Sequence, residues 1–157
     1  MEKGNRVADA AHRVWVASMI YVAAVAGGII LHNIYPLPWI GAPLADLLFA
    51  IGWLLGAAAI FLLAAALRAW RSTRLAGEHR GLVTSGPYSF SRNPIYLSAA
   101  LLLVAGALIW GIGWLIILAL VAGFATSKLV IEGEERRFAG RFGKKYRDYQ
   151  KKVRRWI

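Results

Sequence analysis

A chain of 157 residues, 59% of them hydrophobic and none of them cysteine, suits one domain and excludes disulfides, thiolate catalysis and cysteine-ligated metals. Nineteen Lys and Arg against eight Asp and Glu give a net charge of +11, which in a soluble protein would point to nucleic acid. Here the basic residues flank apolar runs, so anionic lipid headgroups are the expected partner and nucleic acid is not. His12, His32 and His79 are scattered without metal-ligand spacing.

A bilayer core of roughly 30 Å takes about 20 apolar residues in a helix. The first such run spans 14–31, behind a basic flank. The small residues Ala24, Val25 and Ala26 within it resemble a signal-peptide cleavage site, but the apolar run continues past them to Leu31. The second run spans 44–67. Its Gly52-Trp53-Leu54-Leu55-Gly56 places small residues four apart, a spacing that lets helices approach closely inside a bundle.

The third apolar stretch, from Ile95 to Ile131, would be about 55 Å long as one helix, too long for one crossing. Gly111-Ile112-Gly113 breaks it near the middle, between Trp110 and Trp114. The expectation is a tight hairpin of two spans, 94–110 and 112–131, with the tryptophans at the far interface. Four spans put both termini on one side, and the basic residues agree. The N-terminal tail holds three, the segment 68–93 five and the chain from Lys128 onward eleven, which together are all nineteen. The loop 32–43 and the hairpin tip hold none. The predicted fold is therefore all-α: a single membrane-embedded domain over 1–157, with segments 1–13, 68–93 and 132–157 cytoplasmic.

The polar tail carries Phe138, Phe142, Tyr146, Tyr149, Val153 and Trp156 at helical steps, with Lys and Arg between them. This predicts a basic amphipathic helix lying on the inner membrane surface, bent or weakened at Gly143.

Two clusters carry chemistry. In Leu82–Tyr96, Gly86-Pro87 is a turn signal, and Asn93-Pro94 is a helix start with Asn as the cap. The exposed amides of that helix, together with Arg92, suit a carboxylate or phosphate, and Tyr96 lies one turn inward. In Glu132–Arg137, paired acids sit where the fourth span exits. The hairpin would return Glu134 and Glu135 to the face of Arg92, Asn93 and Tyr96, where they would hold a cation or an ammonium group. Each cluster alone has a plainer reading. Arg92 can be a topology residue beside a cap, and the glutamates can pair with Arg136, Arg137 and Arg141 on a solvated face. Tyr146 and Tyr149 can be interfacial anchors.

The run Thr84-x-Gly86-Pro87-Tyr88-x-x-x-Arg92-Asn93-Pro94-x-Tyr96, a two-span hairpin, Glu134-Glu135, and Phe142-Gly143-x-x-Tyr146-x-x-Tyr149-x-x-x-Val153 resembles the isoprenylcysteine carboxyl methyltransferase family. That family belongs to a wider group of integral-membrane methyltransferases that includes the phospholipid N-methyltransferases. The resemblance covers about the second half of the chain. It implies S-adenosylmethionine as cofactor, bound by Tyr88, Arg92, Asn93, Pro94, Tyr96, Glu134, Glu135, Tyr146 and Tyr149. Arg92, Glu134 and Glu135 would act on a lipophilic substrate at the inner leaflet. Isoprenylcysteine enzymes usually have Arg-His-Pro where this chain has Arg92-Asn93-Pro94, and Asn-Pro-x-Tyr is closer to the phospholipid enzymes. The expected acceptor is the carboxylate of an isoprenoid-type or related small lipophilic molecule, and N-methylation of a phospholipid or amine stays open as the alternative. So do a reductase with a nicotinamide cofactor and a non-catalytic lipid-binding protein. A chain this short, with no soluble domain, is expected in a prokaryotic inner membrane.

Overall fold

The computed structural model describes the backbone of residues 2–75 and 81–157, and the side chains of 12–73 and 81–157. The side chains of Lys3, Arg6, Arg74, His79 and Arg80, part of the sequence argument, lie outside the described residues. The described chain is helical: α1 (Glu2–Ile34), α2 (Leu44–Leu75), a 3₁₀ turn (Gly86–Ser89), α3 (Pro94–Trp110), α4 (Gly113–Thr126), α5 (Glu132–Phe142) and α6 (Lys144–Lys152). A π-helical stretch, Ser127–Ile131, joins α4 to α5 without a break.

Three stretches are long and apolar enough to cross a membrane: His12–Ile34, Leu44–Thr73 and Gly113–Phe142. The apolar α3 is shorter, at 17 residues, or about 26 Å. The protein is an integral membrane protein, and its surface agrees with this. Leu54, Phe61, Leu120 and Phe124 all project outward and are more than two-thirds exposed, the reverse of a water-soluble fold.

The helices form a layer in the order α2, α3, α4, α1, with α3 and α4 central. Small residues set the spacing. The buried cluster of α1, α3 and α4 is Ala24, Leu103, Ala107, Leu115, Ala119 and Ala122. Gly52 of α2 lies flush against α3: a Cβ there would stand 2.8 Å from Ile109 Cγ1 and 3.1 Å from Ile109 N. Gly56, one turn on, faces Ala105 with room to spare. The small pair in α2 thus serves packing inside the bundle, as its spacing predicts.

Gly111 and Ile112 alone link α3 to α4. Gly111 takes φ +67°, a left-handed conformation that glycine adopts without a Cβ penalty. The Ile112 N–H then donates to the Ala107 carbonyl at 3.1 Å, satisfying a helix-end acceptor. The Trp39 ring covers Gly111, and the Trp114 indole N–H donates to the Tyr35 carbonyl at 2.7 Å. The aromatic end of the bundle is therefore built from the loop after α1 and the α3–α4 link.

The tail corrects the sequence expectation. It is not one helix from residue 132. Helix α5 continues the membrane-crossing α4, and the break falls at Gly143, with φ +51°. Helix α6 ends at Lys152, and Val153 is extended, with φ −124° and ψ 129°. Val153 and Trp156 therefore leave the helical face that their spacing suggested. Part of that face is covered by protein. Tyr146, Tyr149 and Val153 are buried, packed with Leu82, Ala139 and Phe142. The aromatic stripe folds inward, because α5 and α6 turn on Gly143 and close over the loop before α3.

Candidate functional site

The loop 81–93 is shaped by the turn that Gly86-Pro87 predicts. The 3₁₀ turn brings the Tyr88 carbonyl under the Tyr149 hydroxyl, which donates to it at 2.6 Å. The next residues, Ser91 to Asn93, are fastened to the extended segment after α6. Ser91 pairs with Arg154 in a single parallel bridge. The Arg92 N–H donates to the Arg154 carbonyl at 3.1 Å, and the Asn93 amide donates to the Arg155 carbonyl at 3.1 Å. Asn93 does stand at the helix start, and its carbonyl accepts the Leu97 N–H at 3.0 Å. Its side chain does not cap α3. The amide is drawn away to the Arg155 carbonyl, so the capping role read from sequence is replaced by a tertiary bond. Pro94 is fully buried at the first position of α3.

The two glutamates reach the site from α5, where the unbroken helix from α4 delivers them beside α3. They have different surroundings. Glu135 is bracketed by two guanidinium groups. Arg155 donates from Nε to Oε1 at 3.1 Å and from Nη2 to Oε2 at 2.7 Å, a two-pronged fork. Arg92 Nη1 stands 3.1 Å from the same Oε1, with the side chains of Arg92 and Glu135 only 12% and 14% exposed. The angle of that approach does not make a hydrogen bond, and the buried Nε and Nη1 of Arg92 have no hydrogen-bond partner. Arg92 thus presents buried donors with capacity to spare. Glu135 thus reaches beyond its own helix face to Arg92 before α3 and Arg155 after α6.

Glu134 accepts a hydrogen bond from the Tyr96 hydroxyl at 3.4 Å. The Tyr96 carbonyl in turn accepts from the Tyr21 hydroxyl at 3.1 Å, which ties α1 to this corner. Tyr88 is close enough to feel Glu134: burial, and then the Glu134 charge, push its phenol up to about 12. Tyr149 is pushed up to about 12, chiefly by burial. Burial and the Glu135 charge raise Tyr146 as well. These three phenols are neutral at physiological pH and offer O–H donors rather than charge.

All nine residues of the sequence-derived site therefore meet at one end of the bundle. Sequence reasoning missed Arg155 and Trp156. Arg155 counted only as one of the nineteen basic residues, and the helical period hid the extended backbone that carries it. The Trp156 indole N–H donates to Ser127 Oγ at 3.1 Å, at the head of the π-helical stretch. An open cleft lined by Glu132, Glu135, Arg136, Ala139 and Gln150 adjoins the pair. Its volume, about 250 Å³, is below the roughly 300–1,000 Å³ of small-molecule sites, so it is a mouth rather than a whole cofactor pocket.

A sequence model of the phospholipid methyltransferase family matches residues 43–145, about two-thirds of the chain. The chain belongs to the phospholipid methyltransferase family. Membership places it among the integral-membrane methyltransferases, in agreement with the wider group that the motifs resemble. The match takes in α2 through α5, hence Tyr88, Arg92–Tyr96 and both glutamates, and it stops before Tyr146, Tyr149 and Arg155. A second family, described as cytochrome oxidase c assembly, matches residues 1–37. That region is a single apolar helix and under a quarter of the chain, too little to assign a family. No curated protein and no solved structure matches.

Proposed function

We propose that this protein transfers a methyl group from S-adenosylmethionine to the headgroup of a membrane lipid at the cytoplasmic leaflet. The observation that carries the reading is the division of labour between adjacent acids. Glu135 has both oxygens engaged by arginine donors, whereas Glu134 faces a phenol. The amino-acid end of the cofactor carries one carboxylate and one ammonium group. The residues fit it. The buried Nε of Arg92, which has no hydrogen-bond partner, suits the carboxylate, and Glu134 with its tyrosines suits the ammonium.

When bound, S-adenosylmethionine supplies a methyl group on a sulfonium sulfur, which leaves as a neutral thioether. The protein's task is then alignment and exclusion of water. Tyr88, Tyr146 and Tyr149 enclose the site without adding charge. The lipid reaches it from the bilayer beside α3. The amine reading is favoured over the isoprenoid carboxylate by the matched family. A headgroup ammonium must give up a proton before its lone pair can take the methyl, so this branch needs a base where the carboxylate branch needs none.

The reading includes four crossings. The two-residue link at Gly111-Ile112 and the packing of α3 on α4 support α3 as a span despite its 17 residues. On this reading the one-sided basic residues favour both termini in the cytoplasm, facing anionic lipids.

The test is thermal unfolding of the detergent-purified protein with S-adenosylhomocysteine, with NADPH, or with neither. Stabilisation by S-adenosylhomocysteine alone is the expected result. A shift with NADPH alone would replace the methyltransferase with a reductase.

A further inference from the structure

We propose that Arg155 is a positioning residue for this site: it locks Glu135, and Glu135 in turn aims the Arg92 guanidinium at the cofactor's carboxylate. The inference rests on the methyltransferase reading, and it assigns a role outside the residues that the family match covers. Three observations carry it. The Arg155 fork takes both oxygens of Glu135, which fixes the plane of the carboxylate. Arg92 leans through Nη1 on one of those oxygens at 3.1 Å, and its buried Nε has no hydrogen-bond partner. Donors left unpaired in a buried place are costly unless something fills them. Finally, Arg155 is itself held. Its carbonyl accepts the Asn93 amide, the preceding carbonyl accepts the Arg92 N–H, and Trp156 beyond it is tied to Ser127. The extended segment 153–157 is thus fastened to both walls of the site, the loop before α3 and the helix after α4. Glu132 lies 3.8 Å from Arg155 on the same side, adding to the field that holds the guanidinium.

A residue that acts only by docking the tail would affect stability alone. A positioning residue changes ligand affinity in protein that stays folded. The experiment therefore compares Arg155→Met, Arg155→Lys and Trp156→Phe by thermal unfolding and by calorimetric titration with S-adenosylhomocysteine. In Arg155→Met the affinity should fall about tenfold, as outer partners of a ligand-holding residue commonly cause. Arg155→Lys should recover part of it, because lysine restores the charge but not the fork. Trp156→Phe loses the tie to Ser127 while keeping the fork, and its affinity should fall less than that of Arg155→Met. Unchanged affinity in Arg155→Met, or an equal loss in Trp156→Phe, would overturn the assignment.

A second measurement needs no cofactor. Arg92 modification by a dicarbonyl reagent, read by peptide mass spectrometry, should be slow in the unmodified protein and several-fold faster in Arg155→Met. Equal rates would overturn the relay even if the unmodified protein bound no S-adenosylhomocysteine. That last result would instead sink the methyltransferase reading.

Discussion

Replacing each of the paired glutamates by glutamine should separate a variant that loses stability as well as binding from one that loses binding alone. In Glu135→Gln the side chain keeps its shape but loses the charge shared by two guanidinium groups. Removing one partner of a fully buried ion pair costs about 3–5 kcal/mol, while an exposed pair is worth about 0–1 kcal/mol. Arg155 is one-third exposed and can return to water, so stranding it costs little. Arg92 is nearly buried and cannot. Because the Arg92–Glu135 pair is nearly but not fully buried, the cost falls between these limits, at about 2–3 kcal/mol, or a fall of roughly 5–10 °C in the unfolding midpoint for a chain of this size. In Glu134→Gln the amide oxygen still accepts the Tyr96 hydroxyl, so stability should change by less than about 1 kcal/mol. Binding should suffer instead. Losing a charged hydrogen bond to an ammonium group costs about 1.5–3 kcal/mol, which is about 10–150-fold in affinity. The assay is thermal unfolding in detergent with calorimetric titration of S-adenosylhomocysteine. A Glu135→Gln protein that unfolds with the unmodified one, or a Glu134→Gln protein that binds unchanged, would refute the division of roles.

Gly52→Leu should destabilise by about 1–3 kcal/mol or misassemble, because even its Cβ would collide with the Ile109 backbone of α3. Gly56→Ala, with 3.6 Å to Ala105, should be tolerated in the same unfolding assay. Tyr88 and Tyr149 each have a phenol raised to about 12 in the fold against an ordinary value near 10. Their contribution to stability is fully present below pH 10 and is lost as pH rises towards 12, so tyrosinate absorbance should appear together with unfolding in that window. Tyr149→Phe removes the 2.6 Å bond to the Tyr88 carbonyl and should cost about 1 kcal/mol at neutral pH. Because the chain has no cysteine, single-cysteine variants report topology cleanly. Ile112→Cys should react with a membrane-impermeant thiol reagent on intact cells, and Lys151→Cys only after permeabilisation. Labelling of both, or neither, would contradict four crossings.

The apolar runs were legible because a bilayer leaves few options: length, hydropathy and the placement of charge set the helices before any packing is known. The two-glycine interruption marked the α3–α4 link for the same reason, since only a glycine enters the left-handed conformation there freely. The site's composition was legible from motif order. Its wiring was not. Whether Asn93 caps its own helix or reaches Arg155 depends on where the chain sixty residues later runs, and no local rule contains that. The tail misled because Val153 and Trp156 keep the helical period after the helix has stopped at Lys152. A non-helical segment pinned to Ser91–Asn93 buries Val153 and holds Trp156 against Ser127 just as a helix face would. The equal look of Glu134 and Glu135 in sequence hid opposite surroundings, because adjacent residues on a helix point about 100° apart. One turns to Arg92 and Arg155, the other to Tyr96.

The most direct test of the central claim is transfer of an isotopically labelled methyl group. The purified protein, reconstituted in vesicles of phosphatidylethanolamine and anionic lipid, is supplied with labelled S-adenosylmethionine, and the lipids are analysed by mass spectrometry. The account predicts label on the headgroup amine, stable to mild alkali, and its loss in Glu134→Gln. Absence of labelled lipid in a protein that is folded and binds S-adenosylhomocysteine would contradict the proposed acceptor. Label found instead as an alkali-labile ester on an added isoprenoid carboxylate would move the protein to the other branch of its group.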